Sequence, residues 1–485
     1  MNRQKSLLTK KQLLSSVNGK LIFSILKPIY FTSVCIDSRE VCKNSLFVPL
    51  VGLSQNGHKY IPTALEQGAS VVFVNEAEFL KSKDEYFALA KKYKNVSFVI
   101  VIDTKRALQD AARAYVEKFP KLKKIAITGS SGKTTTKEIA ISIFKQEFNV
   151  IATKGNFNSE TGLPLSVFNI RKEHEVGIFE MGMNRENEIA EIASVLKPNY
   201  AIISNIGTAH IGKLGSREDI AREKKRVFDY VMKDGFAFIP EDDDFVEYLS
   251  SGVKGSVVRF GPHLSDAKIE YLKNNGTQGC EFRLNELIVN FPLGGEYNFK
   301  NALGVIACAL KFGMKDESIK KGLEEVKNLS GRLNIQKATL KNKKCVTLIK
   351  DYYNANFDSM KASIEFTNGI ENQGKKIYVL ADMKELGEKS KEFHSKIGGI
   401  LANVASSIIF LIGSDMIEAK NELLVKNPNQ TVVYFKENSE ENFTEIANQI
   451  LALEDEDSVI LLKGSHSMAV EKLIPLLVLE EEKNV

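Results

Sequence analysis

Ile125–Glu138 reads IAITGSSGKTTTKE. The apolar run Ile125-Ala126-Ile127 has the make-up of a buried strand and stops at Gly129. After the turn Gly132-Lys133-Thr134, Ile139, Ala140, Ile143 and Phe144 recur at helical spacing. A strand, a glycine turn and a helix opening on Lys-Thr make a phosphate cradle. Glycines let backbone N–H groups close on an anion, and the helix N-terminus adds its partial positive charge. Gly129, Ser130, Ser131, Gly132, Lys133, Thr134 and Thr135 are therefore the candidate ATP-binding residues. Lys133 would reach the β/γ-phosphates, and the Thr134 hydroxyl would face Mg²⁺. The loop is short: only Ser130 and Ser131 separate Gly129 from Gly132, and Ile127 stands where the usual pattern has its first glycine. The bland alternative is an ordinary glycine turn with a solvated Lys133. The agreement of strand, turn and Thr-Thr-Thr helix start argues against it.

Outward from this loop, strands and helices alternate. Upstream, strand-like runs fall at Ser33–Ile36, Ser45–Leu50, Val71–Val74 and Ser97–Ile102, with helices expected over Ile61–Gln67 and Phe79–Lys92. A linking helix is expected over Ala107–Phe119. Downstream strands are expected at Val176–Glu180 and Ala201–Asn205, then a β-rich stretch (Ser256–Phe260, Gly279–Leu284, Leu287–Phe291) and a helix at Asn298–Phe312. After Gly331-Arg332 the pattern restarts, with strands expected at Cys345–Lys350, Lys376–Ala381, Ser407–Ile412, Thr431–Phe435 and Ser458–Leu462, each followed by a helix. The fold class is α/β with parallel sheets, in three units: 1–104, 105–330 and 331–485. Ligands on such sheets sit beyond the carboxyl ends of the strands.

Composition narrows the function. At 485 residues the chain is too long for one ordinary domain. The net charge of +5 is spread along it, and no Lys/Arg block is interleaved with aromatics. That suits small anionic substrates and not a nucleic-acid track. The longest early apolar run, Leu21–Phe23 with Ile25 and Leu26, is too short for a signal segment or a membrane span. Five cysteines (35, 42, 280, 308, 345) form no CxxC pair, which argues for a reducing cytoplasm, no zinc site and no disulfide frame. The chain is expected to act as a monomer.

A second constellation lies on the edge of the sheet that carries the glycine turn. Glu180 ends an apolar strand, and His210 lies just past the next one. A carboxylate and an imidazole beside a triphosphate are candidate Mg²⁺ ligands, although Mg²⁺ prefers oxygen. With Arg217–Lys233 placed on a helix, Ile220, Ala221, Val227, Phe228 and Val231 all fall within about 60° of Lys224 at ~100° per residue. The lysine centres an apolar stripe where a bare ammonium is costly. It either snorkels along the stripe or is masked as a CO₂-derived carbamate, an anion able to bind metal.

With these residues in place, the chain resembles the Mur ligases of peptidoglycan synthesis over nearly its whole length. TGSSGKTTTKE is similar to the family's short phosphate loop, and FEMGMNRENEI with SNIGTAHIGKLGSREDIAREK to its magnesium and carbamylated-lysine segments. The resemblance implies a central ATPase-type sheet, a Rossmann-like C-terminal domain and a small N-terminal domain for the UDP-substrate. It implies two Mg²⁺ sites, one on Thr134 and Glu180, the other on His210 and carbamylated Lys224. Ser38 and Arg39 of IDSREVCKNSLF would meet the UDP-muramoyl moiety, and Asn156, Asn158 and Thr161 of KGNFNSETG the substrate. Asn298 would meet adenine, Arg332 the ATP phosphates and Asp351 the ribose. Lys133, Lys224, His210 and Arg332 would be the catalytic group.

Three segments, DYYNANFDSMKA, ADMKELGEKS and LLKGSHSMAVEKL, resemble the family member that joins D-alanyl-D-alanine to UDP-N-acetylmuramoyl-tripeptide through an acyl phosphate. They put Tyr353, Asn354, Asn356 and His466 on the substrate side. The third peptide residue, lysine or a diaminopimelate, stays open. Tyr353-Asn354-Ala355-Asn356 and the UDP-sugar-like N-terminus argue against a sister amide ligase or a folylpolyglutamate synthase, and a non-catalytic nucleotide switch does not explain Glu180, His210 and Lys224 together. Four positions depart from the family pattern: Tyr297 stands for the usual His, Lys350 for Asp, Phe357 for Pro and His466 for Arg.

Overall fold

The strand Lys123–Thr128 lies inside a six-stranded sheet, between Tyr200–Ile203 and Val176–Glu180. Val150–Ala152 flanks it on one side, and Phe236–Pro240 and Ser256–Phe260 on the other; every pairing is parallel. Strand alternation divides the apolar residues between two cores. Ile125 and Ile127 pack with Ile139, Ala140 and Ile143 of the helix Lys133–Phe144. Ala126 faces the opposite core, which it shares with the helix Thr104–Val116. That helix buries Leu108, Ala111, Ala112 and Tyr115 at helical spacing. Its core continues into Val71, Phe73 and Val99 of the N-terminal sheet, so one helix serves two sheets.

This structure is a computed structural model that describes residues 6–22, 29–52, 54–405, 407–453 and 455–481. Phe23, Ile25 and Leu26 of the early apolar run lie outside the described residues. The N-terminal sheet runs Lys20–Ile22, Ser97–Val101, Ala69–Asn75, Ser45–Phe47, Ser33–Cys35, parallel except at its first strand. The C-terminal sheet has seven strands. Five are parallel, in the order Thr431–Phe435, Ser407–Ile412, Lys376–Ala381, Ser458–Lys463, Cys345–Asp351. Two antiparallel strands, Asn334–Leu340 and Val478–Glu481, close its edge. No helix among the described residues is long and apolar enough to cross a membrane.

The structure departs from the sequence expectations in several places. The helix expected over Phe79–Lys92 is two helices, Glu76–Lys81 and Lys83–Lys92, because Ser82 leaves the helical region (φ −131°, ψ 39°). The helix expected over Arg217–Lys233 is α-helical only over Arg217–Lys225 and tightens to a 3₁₀ turn at Arg226–Tyr230. Such turns satisfy the last carbonyls of a helix with shorter-range hydrogen bonds. Ala267–Asn274 is an unexpected strand; its Lys268 and Glu270 face solvent, and only Ala267 and Ile269 are buried. After the last parallel strand, Ser458–Lys463, the chain forms 3₁₀ turns before the four-residue helix Ile474–Leu477.

Candidate active site

The carboxyl ends of the central and C-terminal sheets face each other across a cavity of about 1270 Å³. That exceeds the usual size of a site for one small ligand and leaves room for a nucleotide with a co-substrate. Ser130, Ser131, Gly132, Lys133, Thr134, Thr135, Asn156, Asn158, Glu180, His210, Asn298, Arg332, Asp351, Tyr353, Asn354 and Asn356 all line it.

The glycine turn is shaped by two positions. Gly132 begins the helix Lys133–Phe144 at φ +79°, a left-handed conformation that L-residues with a side chain rarely adopt. A Cβ on Gly129 would meet Ser204 Oγ at 1.9 Å. The loop is pinned from the neighbouring strand end: Ser204 Oγ donates to the Ser131 carbonyl at 2.6 Å. Asn205 Oδ1 accepts from Ser131 N at 3.0 Å, its Nδ2 donates to Ser131 O at 3.0 Å, and its carbonyl accepts from Ser130 N at 3.0 Å. Asn205→Ala removes both side-chain bonds. We expect its KM for ATP to rise about tenfold with the fold intact, as each such bond is worth ~1 kcal/mol; steady-state kinetics with thermal melting checks this.

Glu180 is 2% exposed, and its two oxygens are divided. Oε2 accepts from the Thr134 hydroxyl at 2.9 Å and Oε1 from Asn158 Nδ2 at 2.7 Å. Lys137 Nζ stands 3.9 Å away. Its ammonium, buried like the carboxylate, donates to Thr153 O at 3.1 Å. The helix register that turns Thr134 toward Glu180 also brings Lys137 onto the same side.

Lys224 is 1% exposed. It does not snorkel to the surface. Its Nζ donates to the Gly129 carbonyl at 2.9 Å, the carbonyl that also accepts from Lys133 Nζ at 2.8 Å. Two lysines thus converge behind the phosphate loop. Burial drives the Lys224 pKa well below the usual lysine value, and the Lys133 charge pushes the same way. Burial also lowers Lys133, opposed by Glu180.

His210 sits at φ +64°, and its Nδ1 lies 2.6 Å from Glu385 Oε2 of the C-terminal domain. Contact with His210, helped by Lys213, pushes Glu385 down to about 2. Other contacts join the same two domains. Thr208 donates to Asp358 Oδ2 through its N–H (2.6 Å) and its hydroxyl (2.9 Å). Asn356 Nδ2 donates to Ser131 Oγ of the phosphate loop at 3.0 Å.

Arg332 lies with its guanidinium 3.9 Å from the centre of the Tyr353 ring. Tyr353 N donates to Gly331 O at 2.9 Å, so the two loops are zipped together. Both oxygens of the Asp351 carboxylate are engaged: Oδ1 accepts from Leu333 N at 3.0 Å, and Oδ2 from Ser363 Oγ and Lys463 Nζ, both at 2.6 Å. Lys463 is the register partner of Asp351 on the next strand. Asn298 Nδ2 donates to Gly294 O at 2.7 Å.

Several expected residues stand apart from the cavity. Ser38 is buried in the N-terminal unit, and Arg39 is exposed beside Asp37, which it pulls down to about 2. Thr161 precedes the helix Gly162–Val167. His466 is exposed, edge-on to the Tyr353 ring at 6.2 Å. Sequence reasoning missed Lys137, Asn205, Asp358, Glu385 and Lys463. For Lys463 a signal existed: a charge ending an apolar strand, as at Glu180.

The donor set fits the groups that the resemblance implies. Thr134 and Glu180 offer paired oxygens beside the phosphate loop, as Mg²⁺ requires. The Lys224 amine, low in pKa and shut away from water, suits reaction with CO₂.

Three family models match in sequence order: "Mur ligase family, catalytic domain" over residues 30–116, "Mur ligase middle domain" over 127–309 and "Mur ligase, glutamate ligase domain" over 331–466. The UDP-N-acetylmuramoyl-tripeptide–D-alanyl-D-alanine ligase of Treponema pallidum is 37% identical over 471 residues, 97% of this chain and 99% of its own. A crystal structure of MurF from Acinetobacter baumannii superposes with a TM-score of 0.82 at 30% identity, covering 96% of this chain and 98% of that one. MurF from Thermotoga maritima in complex with ADP gives 0.75 at 25% identity, over 93% and 98%. From the short phosphate loop through all three domains, the chain belongs to the Mur ligase family, as a MurF-like member.

Proposed function

We propose that this chain joins D-alanyl-D-alanine to UDP-N-acetylmuramoyl-tripeptide at the expense of ATP, a step in making the peptidoglycan precursor. One observation carries the reading: Lys133, Glu180, His210, Lys224 and Arg332, drawn from two domains, converge on or directly behind one cavity. Full-length similarity to ligases of that name supports it.

The tripeptide carboxylate oxygen attacks the γ-phosphorus, the bond to the β-phosphate oxygen breaks, and ADP leaves. The amine nitrogen then attacks the acyl carbon and loses a proton, and phosphate departs with the C–O bond electrons. The Ser130–Thr135 backbone and Lys133 hold the phosphates, and Arg332, steadied on Tyr353, offsets charge as it moves between oxygens. Asn298 orients the base. Much of the acceleration comes from positioning.

Thr134 and Glu180 would hold one Mg²⁺, and His210 with carbamylated Lys224 the other; when bound, the ions neutralise phosphate charge. The carbamate forms when Lys224 Nζ attacks CO₂, making the N–C bond and releasing one proton. Asn156, Asn158, Thr161, Asn354 and Asn356 are assigned to the substrates, with Ser38 and Arg39 to the UDP-muramoyl end and His466 to the dipeptide end. The unit limits 1–104, 105–330 and 331–485, a monomeric state and a cytoplasmic location complete the proposal.

With ¹⁸O in the tripeptide carboxylate, one label atom is expected in the released phosphate. Phosphate release is expected to require both the tripeptide nucleotide and D-alanyl-D-alanine. Absence of label in phosphate excludes an acyl phosphate, and release with either substrate alone excludes the ligase reading.

A further inference from the structure

The sulfurs of Cys35 and Cys42 meet at one hydroxyl oxygen in the N-terminal sheet. Strands Ser33–Cys35 and Ser45–Phe47 pair in parallel, with Ser33 opposite Ser45. Period two puts Cys35 on the same face as Ser33, and Cys42 lies in the turn just before Ser45. The Cys35 sulfur is 3.8 Å from Ser45 Oγ and the Cys42 sulfur 3.4 Å.

The two thiols are unequal. Cys42 is exposed and Cys35 is buried. Ser33 Oγ stands 3.3 Å from the Cys42 sulfur, and contact with the Ser33 and Ser45 hydroxyls lowers the Cys42 pKa. Burial raises that of Cys35, whose S–H donates to the Glu40 carbonyl at 3.5 Å. An accessible thiol drawn toward its thiolate, beside a buried thiol within reach, makes an attacking and a resolving cysteine.

Asp37, Ser38 and Arg39 lie between them. Asp37 caps the 3₁₀ turn Ser38–Glu40, and its carboxylate holds Arg39. A bond between the sulfurs closes a ring of residues 35–42 around this turn. It forms in the space beside Ser45 Oγ, which now accepts from Cys42 N at 3.1 Å and donates to Cys42 O at 2.7 Å. Closing the ring therefore shifts Cys42 and the turn that leads to it.

We propose that Cys42 and Cys35 form a peroxide-reactive dithiol whose disulfide displaces the Ser38–Arg39 turn. The Cys42 sulfur attacks one oxygen of a hydroperoxide, the O–O bond breaks, and the other oxygen takes a proton and leaves. The Cys35 sulfur then attacks the sulfenic sulfur, the S–O bond breaks, and hydroxide leaves as water with the Cys35 proton. The two thiols give up two electrons, and the hydroperoxide gains them. Such a disulfide is transient in a reducing compartment and is reversed by thiol exchange. That the turn meets the UDP-muramoyl end rests on the function proposed above; the sulfur chemistry does not.

The test treats the reduced full-length protein with hydrogen peroxide and maps its peptides without reduction. Trypsin cuts after Arg39, between the two cysteines. The expected product is a Cys35–Cys42 cross-linked peptide pair, two hydrogens lighter than its free parts and lost on adding dithiothreitol. Cys345, exposed in the C-terminal domain, is the internal control and should oxidise more slowly. In Cys35→Ser, Cys42 should stop at the sulfenic acid and be captured by dimedone; Cys42→Ser should give no cross-link. Calorimetric titration of the ADP-loaded protein with UDP-N-acetylmuramoyl-tripeptide should show about tenfold weaker binding after oxidation, the cost of one lost hydrogen-bonded contact. Absence of the cross-link, or oxidation of Cys345 ahead of Cys42, overturns the dithiol. A cross-link that leaves tripeptide-nucleotide binding unchanged overturns its effect on the turn. Failure of the reduced protein to bind the tripeptide nucleotide at all would instead overturn the ligase reading.

Discussion

Lys224→Ala is expected to lose about 10²- to 10³-fold in turnover, the scale seen when one preorganised group is removed from a polar active site. Added short carboxylates should restore part of it. The fold should survive. Lys224 lies on a helix turn with buried Ile220, Ala221, Val227 and Phe228, where an apolar side chain is at home. The Gly129 carbonyl, its hydrogen-bond acceptor, keeps Lys133 as a donor. Lys224→Met is the folding control, with a melting point near wild type and no turnover. The carbamate itself is read by ¹³C NMR after equilibration with ¹³CO₂. Full activity in the unrescued alanine variant, or no carbamate resonance in an active wild type, would remove Lys224 from the mechanism.

Gly212→Ala is expected to lower kcat by about 10²-fold, the cost of a misplacement of about 1 Å between reacting groups. An alanine Cβ there would stand 2.3 Å from Gly387 N and 2.6 Å from the Leu386 carbonyl carbon. Both are backbone atoms of the C-terminal domain, so no flexible side chain can give way. Gly212 N also donates to the Glu385 carbonyl at 3.0 Å. A wedge at this point separates His210 from Glu385, then Thr208 from Asp358, then Ser131 from Asn356. The phosphate loop is untouched, so ADP affinity should fall far less than kcat. Small-angle X-ray scattering of the substrate-loaded variant should report a larger radius of gyration than wild type. An unchanged kcat would mean that this docked arrangement is not the one that reacts.

The second prediction concerns contacts that no local pattern announces. Glu385 and Asp358 lie in segments quoted from the sequence, yet their partners are 175 and 150 positions away in the chain. A sequence orders neighbours along the backbone and says little about which loops two separate domains will press together. The same reason hid Asn205. Its spacing marks only the end of a strand, and its grip on Ser131 exists because Tyr200–Ile203 pairs beside Lys123–Thr128. Tyr297 was legible as an oddity; that its hydroxyl has no acceptor required the surrounding atoms.

What the sequence determined by itself is local. Period-two and helical apolar spacing set the strands and helices, glycine spacing set the phosphate turn, and the apolar stripe singled out Lys224 while leaving open whether its amine reached the surface. These follow from backbone sterics and hydrophobic burial acting over a few residues. What only the tertiary structure decided is convergence. Lys224 and Lys133 share one carbonyl from 91 residues apart in the chain, and His210 meets a carboxylate from another domain. Those contacts depend on sheet order and domain docking, in which many weak burial terms from distant segments are balanced at once.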